Sequence, residues 1–101
     1  MATFLFAYRA PSNYTPGSPE TVAAWTSWFE GMGTNVLSRG NGVFNRSTLG
    51  NCATDSVLGG YSLITADDLD MAMTFAAGCP FLRNGGGIEV GELAPPPAPT
   101  R

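Results

Sequence analysis

The chain contains no histidine and no lysine, and only two of its residues are cysteines. Without histidine it lacks the side chain that most often exchanges protons near neutral pH. Cys52 and Cys79 cannot complete a four-ligand structural zinc site, so no metal site is expected and no cofactor is indicated. The two cysteines also lack CxxC spacing, which favours free thiols over a disulfide.

Charge is scarce as well. Charged residues make up 13 % of the chain and the formal net charge is −3, whereas soluble domains usually carry roughly 25 % charged residues. The five arginines are dispersed along the sequence and form no basic stripe. A nucleic-acid partner is therefore not expected, because a phosphate backbone needs clustered positive charge.

Long apolar runs are absent. The first residues show no basic region before the short apolar run at residues 4–7, and no segment approaches the about twenty apolar residues of a membrane span. The sequence therefore predicts a cytoplasmic protein with no membrane partner.

The length of 101 residues indicates a single domain. Four prolines fall within residues 94–101, where no apolar side chain is larger than alanine or proline. We expect one α+β domain over residues 1–93, followed by a proline-rich disordered tail over residues 94–101.

The first half predicts a strand, a helix and a second strand. Residues 3–9 are apolar on both faces, which predicts a central strand buried from both sides. Ser18, Pro19 and Glu20 are a typical helix start, and Gly31 with Gly33 predicts its end. The core-facing stripe of this helix is predicted to be Val22, Trp25, Phe29 and Met32, widened by Trp28. Residues 36–46 predict a strand that is broken at residues 40–42, a natural site for a bulge or bend.

The second half predicts strand, helix, turn and strand. Residues 61–65 are β-rich, and Asp67 is the predicted N-cap of a helix with Asp70 at position N3. Gly78 and Pro80 end this helix, and a glycine turn leads to a final strand around residues 88–90. The predicted buried face of the helix consists of Leu69, Ala72, Met73 and Ala76.

In order, these elements read βαββαβ. This is the ferredoxin-like plan, with two helices on one face of a four-stranded antiparallel sheet. The first strand is apolar on both faces, so the uncovered sheet face needs a second protein surface. We therefore expect a homodimer in which two sheets pack face to face.

The stretch from Gly59 to Leu93 resembles the YCII-related (YciI-like) family. It shares the family's pattern of Gly-Gly-Tyr, apolar strand, acidic-capped helix, x-Pro, glycine turn and x-Ile-Glu-Val. The resemblance implies a dimeric α+β barrel. It also implies a site with a His near the start of the first helix and an Asp before the proline after the second. This chain has no histidine, and Cys79 precedes Pro80.

Two residues are weak catalytic candidates. The resemblance places Cys79 at the cleft-facing position of the family's Asp, but a thiol after a helix C-terminus favours a buried structural role. Asp55 belongs to the Thr54 and Asp55 start of the DGPF motif found in one family subgroup. A role in turn formation is the alternative for Asp55.

Four residues are candidates for ligand binding. Arg9 could hold a carboxylate, with an ion pair to Glu89 or Glu92 as the alternative. The phenol of Tyr61 could donate to a ligand, or this residue could be an ordinary strand aromatic. Trp25 and Trp28 could line an apolar pocket, with core packing as the alternative.

Two functions follow as hypotheses. The first is a small-ligand-binding module for an apolar or aromatic molecule, which lacks the family's His and Asp pair. The alternative is a small cofactor-free enzyme of isomerase, lyase or oxygenase type, in which Asp55, Glu89 or Cys79 would exchange protons. A concave pocket with a carboxylate or Cys79 in its wall would favour the enzyme.

Overall fold

A computed structural model describes residues 1–12, 19–52 and 55–95 of the chain, and for residues 19 and 20 it describes the backbone only. Within these residues the order of elements is βαββαβ, with two short 3₁₀ helices. The elements are β1 (Ala2–Pro11), α1 (Pro19–Met32), the 3₁₀ turn Gly33–Asn35, β2 (Val36–Gly42), β3 (Ser56–Ala66), α2 (Leu69–Ala76), the 3₁₀ turn Pro80–Asn84 and β4 (Gly87–Glu92).

The four strands form one antiparallel sheet in the order β2-β3-β1-β4. This is the ferredoxin-like arrangement, and the prediction of a central first strand is confirmed. Phe4, Phe6 and Tyr8 are buried on the face of β1 that packs against the helices. Leu5 and Ala7 point to the opposite face and are only half-buried. Among the described residues, other elements therefore cover only one of the two apolar faces of β1.

Helix α1 ends where the two glycines predicted it. Its last residue is Met32, and Gly33 adopts a left-handed φ of 59° that starts the 3₁₀ turn. The predicted N-cap Ser18 lies outside the described residues. The predicted stripe is correct for Phe29 and Met32, which are buried, but wrong for Val22, which is 61 % exposed. Val22 lies in the first turns of the helix and borders a cleft instead of the core.

Helix α2 differs from its prediction in two respects. Its N-cap is Asp68, not Asp67, because the Asp68 carboxylate accepts a 2.8 Å hydrogen bond from the backbone N–H of Met71. Of the predicted buried face, Ala72 and Ala76 are buried, whereas Leu69 and Met73 are 49 % and 48 % exposed. The face of α2 that contacts the core therefore consists of Ala72, Phe75 and Ala76, and it is rotated relative to the predicted face.

Strand β2 is shorter than predicted. It ends at Gly42, although Val43 still donates from its backbone N–H to the carbonyl of Gly59 at 3.1 Å. Its pairing with β3 shifts register between Val36 and Ser38 and again between Ser38 and Asn41. The second shift spans Gly40, so the bulge or bend predicted at residues 40–42 is confirmed at its first residue. Residues 43–52 continue as an irregular loop.

The end of the described chain is held to the first strand. The backbone N–H of Leu93 donates to the carbonyl of Thr3 at 2.8 Å. Ala94 and Pro95 are exposed, and residues 96–101 of the predicted tail lie outside the described residues. Across the described part of the chain, no helix is long and apolar enough to cross a membrane.

Candidate ligand-binding cleft

A cleft opens between the first turns of α1 and the β2-β3 edge of the sheet. Its volume is about 390 Å³. Helix α1 provides one wall, residues 39–42 of β2 provide the other, and Tyr8 of β1 lies between them. The residues that line the cleft are Tyr8, Thr21, Val22, Trp25, Thr26, Phe29, Arg39, Gly40, Asn41, Gly42, Gly60 and Tyr61.

The inner end of the cleft is aromatic. The Trp25 ring meets Tyr8 edge-on with centroids 4.7 Å apart, and it lies 5.9 Å from the Phe29 ring. Phe81 lies 5.8 Å from Trp25 and closes this cluster from the side of the core. Rings of this kind form a rigid apolar wall that suits a flat, apolar ligand.

Arg39 supplies the positive charge of the cleft. Its side chain is exposed, and its guanidinium carbon lies 5.3 Å from the centroid of the Phe29 ring. A cation over an aromatic face is favourable and holds the guanidinium beside the apolar wall. Its remaining N–H groups can pair with a ligand oxyanion. Sequence reasoning missed Arg39, although the bend recognised at residues 40–42 lies next to it.

Two buried hydroxyls fix the backbone of Arg39. Tyr8 donates from its hydroxyl to Oγ of Ser62 at 2.8 Å, and Ser62 donates to the carbonyl of Arg39 at 2.7 Å. This side-chain bond bridges the part of β2 where the ladder to β3 is interrupted. Burial raises the pKa of the Tyr8 phenol above its usual range. The Ser62 bond lowers that pKa and the nearby Cys79 raises it. Tyr8 is therefore a neutral donor.

A glycine is required at residue 40, where β2 runs against the backbone of β3. Gly40 has a left-handed φ of 72°, and a Cβ at this position would lie 1.8 Å from the carbonyl oxygen of Tyr61. No side chain fits there without moving the backbone. Gly40 thus gives β2 the bend that places Arg39 at the cleft.

The structure separates the four candidate binding residues. Trp25 lines the cleft and also packs against the core. Trp28 packs against the core, is not among the residues described as lining the cleft, and donates from Nε1 to the carbonyl of Phe75 at 2.9 Å. Tyr61 lines the cleft, yet its hydroxyl accepts a 3.1 Å bond from the Asn41 amide. Arg9 belongs to a different cavity.

The two alternatives for Arg9 are also separated. Its guanidinium donates to Oγ of Ser56 at 3.1 Å and to the carbonyl of the same residue at 3.0 Å. Gly87 lies directly opposite Arg9 on β4, and neither Glu89 nor Glu92 occupies that position. Ser56, and not an ion pair with those glutamates, therefore holds Arg9.

Cys79 is a buried thiol. Its side chain is 2 % exposed and does not line the cleft. Burial raises the pKa of the Cys79 thiol to about 11, although the backbone N–H groups of Phe81 and Leu82 and the charge of Arg83 oppose this. At neutral pH it is a protonated core residue. The buried position predicted for Cys79 is thus confirmed, and its structural role stays a prediction.

Asp55 and Glu89 are also absent from the cleft. Asp55 is exposed just before β3, and Glu89 lies opposite Ala7 on the sheet face that the helices do not cover. Of the residues described as lining the cleft, none is His, Cys, Asp or Glu. The described ranges likewise contain no group of three or more such residues that could hold a metal ion.

The family model for the YCII-related domain matches residues 1–95. The chain belongs to the YCII-related family. No functionally curated protein matches it.

Among solved structures, this YCII-related chain is similar to 5-chloro-2-hydroxyhydroquinone dehydrochlorinase (TftG) from Burkholderia phenoliruptrix AC1100, in complex with 2,5-dihydroxybenzoquinone. The TM-score is 0.58 at 21 % sequence identity, and the match covers 91 % of this chain and 93 % of that chain. At this identity the likeness establishes the shared fold. The expected family and the expected ferredoxin-like α+β fold of the single chain are thus both confirmed.

Proposed function

We propose that this YCII-related protein binds a small planar aromatic or quinonoid molecule with an acidic oxygen, in the cleft between α1 and β2. The observation that carries the proposal is the pairing of an aromatic wall with one cation in a single cleft. Trp25 and Phe29 form the wall, and Arg39 supplies the guanidinium. A ring stacked on this wall would direct its oxyanion toward Arg39.

The size of the cleft supports a small ligand. Ligand pockets usually enclose roughly 300 to 1,000 Å³, and a cleft of about 390 Å³ is at the lower end of that range. The TftG complex supports the same chemical class, since its ligand is 2,5-dihydroxybenzoquinone, a flat ring with acidic hydroxyl groups. That ligand is therefore a suitable first probe for this chain.

Binding without catalysis fits the cleft better than the alternative of a cofactor-free enzyme. Proton transfer needs a group whose pKa lies near the working pH. The described lining residues include no His, Cys or carboxylate, and Tyr8 is a neutral phenol with a raised pKa. Cys79 occupies the family's Asp position but is buried with a pKa of about 11.

We also propose a homodimer with the two sheets facing one another. Leu5, Ala7 and Leu63 lie half-buried on the sheet face opposite the helices, and a second sheet would cover them. A cytoplasmic location completes the proposal. It is supported by Cys52 and Cys79, which are both free thiols, because reducing compartments keep thiols unpaired.

Calorimetric titration with 2,5-dihydroxybenzoquinone tests the proposed ligand class. The Arg39→Gln variant should bind about tenfold more weakly, the effect expected when one charge-assisted hydrogen bond is lost. Arg83→Gln is the matched control, because Arg83 is exposed and does not line the cleft. A neutral ring without an acidic oxygen, such as benzene, should bind both variants equally.

Equal affinity of wild type and Arg39→Gln for the dihydroxyquinone would contradict the binding site. The absorbance of the quinone should stay constant during incubation with the protein. Its steady consumption, at a rate proportional to protein concentration, would instead favour the enzyme.

A further inference from the structure

A second and larger cavity lies away from the aromatic cleft. It has a volume of about 730 Å³, is open to solvent, and is bordered by the loop of residues 43–52 and by the ends of β1 and β3. Its described lining residues are Arg9, Val43, Phe44, Asn45, Arg46, Ser47, Thr48, Cys52, Ser56, Val57 and Leu58. Arg9 is the last residue of β1 that pairs with β4, whereas Ala10 and Pro11 still pair with β3. The cavity therefore lies at the end of the four-stranded sheet.

A β-bulge sets the face on which β3 presents its first residues. Tyr8 pairs with Gly60, but Arg9 pairs with Leu58, so Gly59 is an extra residue in β3. Side chains alternate along a strand, so one extra residue at Gly59 reverses the faces of the β3 side chains that precede it. As a result, Ser56 and Leu58 lie on the same face as Arg9, and Val57 packs against the core.

The bulge gives Arg9 a fixed position at the cavity. Its guanidinium donates once to Oγ and once to the carbonyl of Ser56. An arginine has five N–H donors, so the remaining ones are available to a ligand. A guanidinium held in this way loses little conformational freedom when it binds an anion.

Arg46 supplies a second cation from the loop. Its guanidinium donates to the carbonyl of Val43 at 2.6 Å, which ties the side chain to the start of the same loop. Two of the five arginines in a chain of net charge −3 thus line one cavity. None of the residues described in its lining is Asp or Glu. Asn45, Ser47 and Thr48 add neutral hydrogen-bonding groups.

We propose that this cavity, the Arg9/Arg46 cavity, binds a small molecule that carries a carboxylate or phosphate group. The two guanidinium groups hold the oxyanion, since Arg pairs with both groups through parallel N–H donors. Val43, Phe44 and Leu58 contact the hydrocarbon part of the ligand. Phe44 is 84 % exposed in the free protein and becomes covered when the ligand binds. This site is separate from the aromatic cleft and does not depend on the ligand proposed there, but Arg9 lies on the same sheet face as Leu5 and Ala7, which the proposed homodimer covers.

Alkylation of Cys52 reports on occupancy. Cys52 is an exposed thiol in the lining of the cavity, whereas Cys79 is buried elsewhere and serves as an internal reference. The rate of carbamidomethylation of Cys52 by iodoacetamide is measured by mass spectrometry at fixed pH and ionic strength. The probes are phthalate, an aromatic dicarboxylate, and inorganic phosphate, with sodium chloride at equal ionic strength as the blank.

Phthalate or phosphate should slow Cys52 alkylation in a saturable manner, and whichever is effective at lower concentration identifies the preferred oxyanion. Arg9→Gln and Arg46→Gln should each raise the half-protecting concentration at least about tenfold, as expected for the loss of a charge-assisted hydrogen bond. Arg39→Gln and Arg83→Gln should leave it unchanged. Arg46 lies in an exposed loop, so its variant tests the proposal even if Arg9→Gln fails to fold.

The proposal is overturned if neither anion protects Cys52 beyond the chloride blank. It is also overturned if all four arginine variants lose protection equally, since that result would indicate a nonspecific effect of net charge.

Discussion

Tyr8 donates a 2.8 Å hydrogen bond from its hydroxyl to Oγ of Ser62, and both side chains are buried. Ser62 in turn donates to the carbonyl of Arg39. The two hydroxyls thus connect the central strand with the cleft arginine through the core. Ser62 takes part in both hydrogen bonds, as acceptor from Tyr8 and as donor to Arg39, whereas Tyr8 takes part in only one.

Because Ser62 makes two of these bonds and Tyr8 makes one, removing the Ser62 hydroxyl should destabilise the fold more than removing the Tyr8 hydroxyl. Ser62→Ala leaves the Tyr8 hydroxyl and the Arg39 carbonyl without their partner, and should lower the free energy of unfolding by about 1 to 3 kcal/mol. Tyr8→Phe removes only a donor, since Ser62 can still donate to Arg39, and should cost about 1 kcal/mol. Urea unfolding of both variants measures the difference. A larger loss for Tyr8→Phe than for Ser62→Ala would contradict the hydrogen-bond order.

The bend of β2 depends on Gly40. Gly40→Ala should lower the free energy of unfolding by at least about 1 to 3 kcal/mol, because a left-handed φ is unfavourable for alanine and its Cβ would overlap the Tyr61 carbonyl. Gly31→Ala is the control. Gly31 lies within α1 with no atom within 4 Å of an added Cβ, so this change should raise stability by up to about 1 kcal/mol. Equal effects of the two substitutions would refute the steric argument.

Cys79 should react slowly with iodoacetamide near pH 7, and exposed Cys52 should react faster. Burial raises the Cys79 pKa from 9.0 to about 11. Between these values the unfolded thiol loses its proton before the folded one does. The contribution of the protonated Cys79 thiol to the free energy of unfolding is therefore fully present below pH 9, and it is lost as the pH rises toward 11. Cys79→Ala should reduce this decline in urea titrations across that range. Rapid labelling of Cys79 in the folded protein at pH 7 would show a reactive thiol instead.

The proposed dimer predicts a species of twice the 10.6 kDa chain mass in sedimentation equilibrium at micromolar concentration. Leu63→Glu should dissociate it, because Leu63 lies opposite Leu5 on the sheet face that the helices leave uncovered. Leu82→Glu is the control, since Leu82 is an exposed residue of the 3₁₀ turn after α2. A wild-type protein of single-chain mass at all concentrations would exclude the dimer.

The predicted tail is tested by two truncations. Removal of residues 94–101 should leave the melting temperature nearly unchanged, because these residues offer few apolar groups for burial. Removal of residues 93–101 should lower it measurably, because the bond from the Leu93 N–H to the Thr3 carbonyl is then lost. A drop of many degrees from the shorter truncation would show that the tail contributes to the fold.

The order of the elements follows from patterns that are local in sequence. The alternation around Phe4, Phe6 and Tyr8 predicted a central strand, and the glycines after Met32 predicted the end of α1. Trp25 was a candidate pocket residue, with core packing as the alternative, since helical spacing places it on the face of Phe29. Periods and caps can be read in this way because each involves residues only a few positions apart.

The features that only the tertiary structure decided depend on pairs of residues that are far apart in the sequence. Tyr8 and Ser62 are 54 positions apart, and Ser62 and Arg39 are 23 apart. No local pattern marks an exposed arginine in a strand as part of a cleft, so Arg39 was missed. The bulge at Gly59 likewise changes which side chains of β3 accompany Arg9. The patterns of the sequence therefore predicted the fold and the aromatic stripe of α1, whereas the pairing of strands decided where the charges lie, because register places residues that are far apart in the chain on a common face.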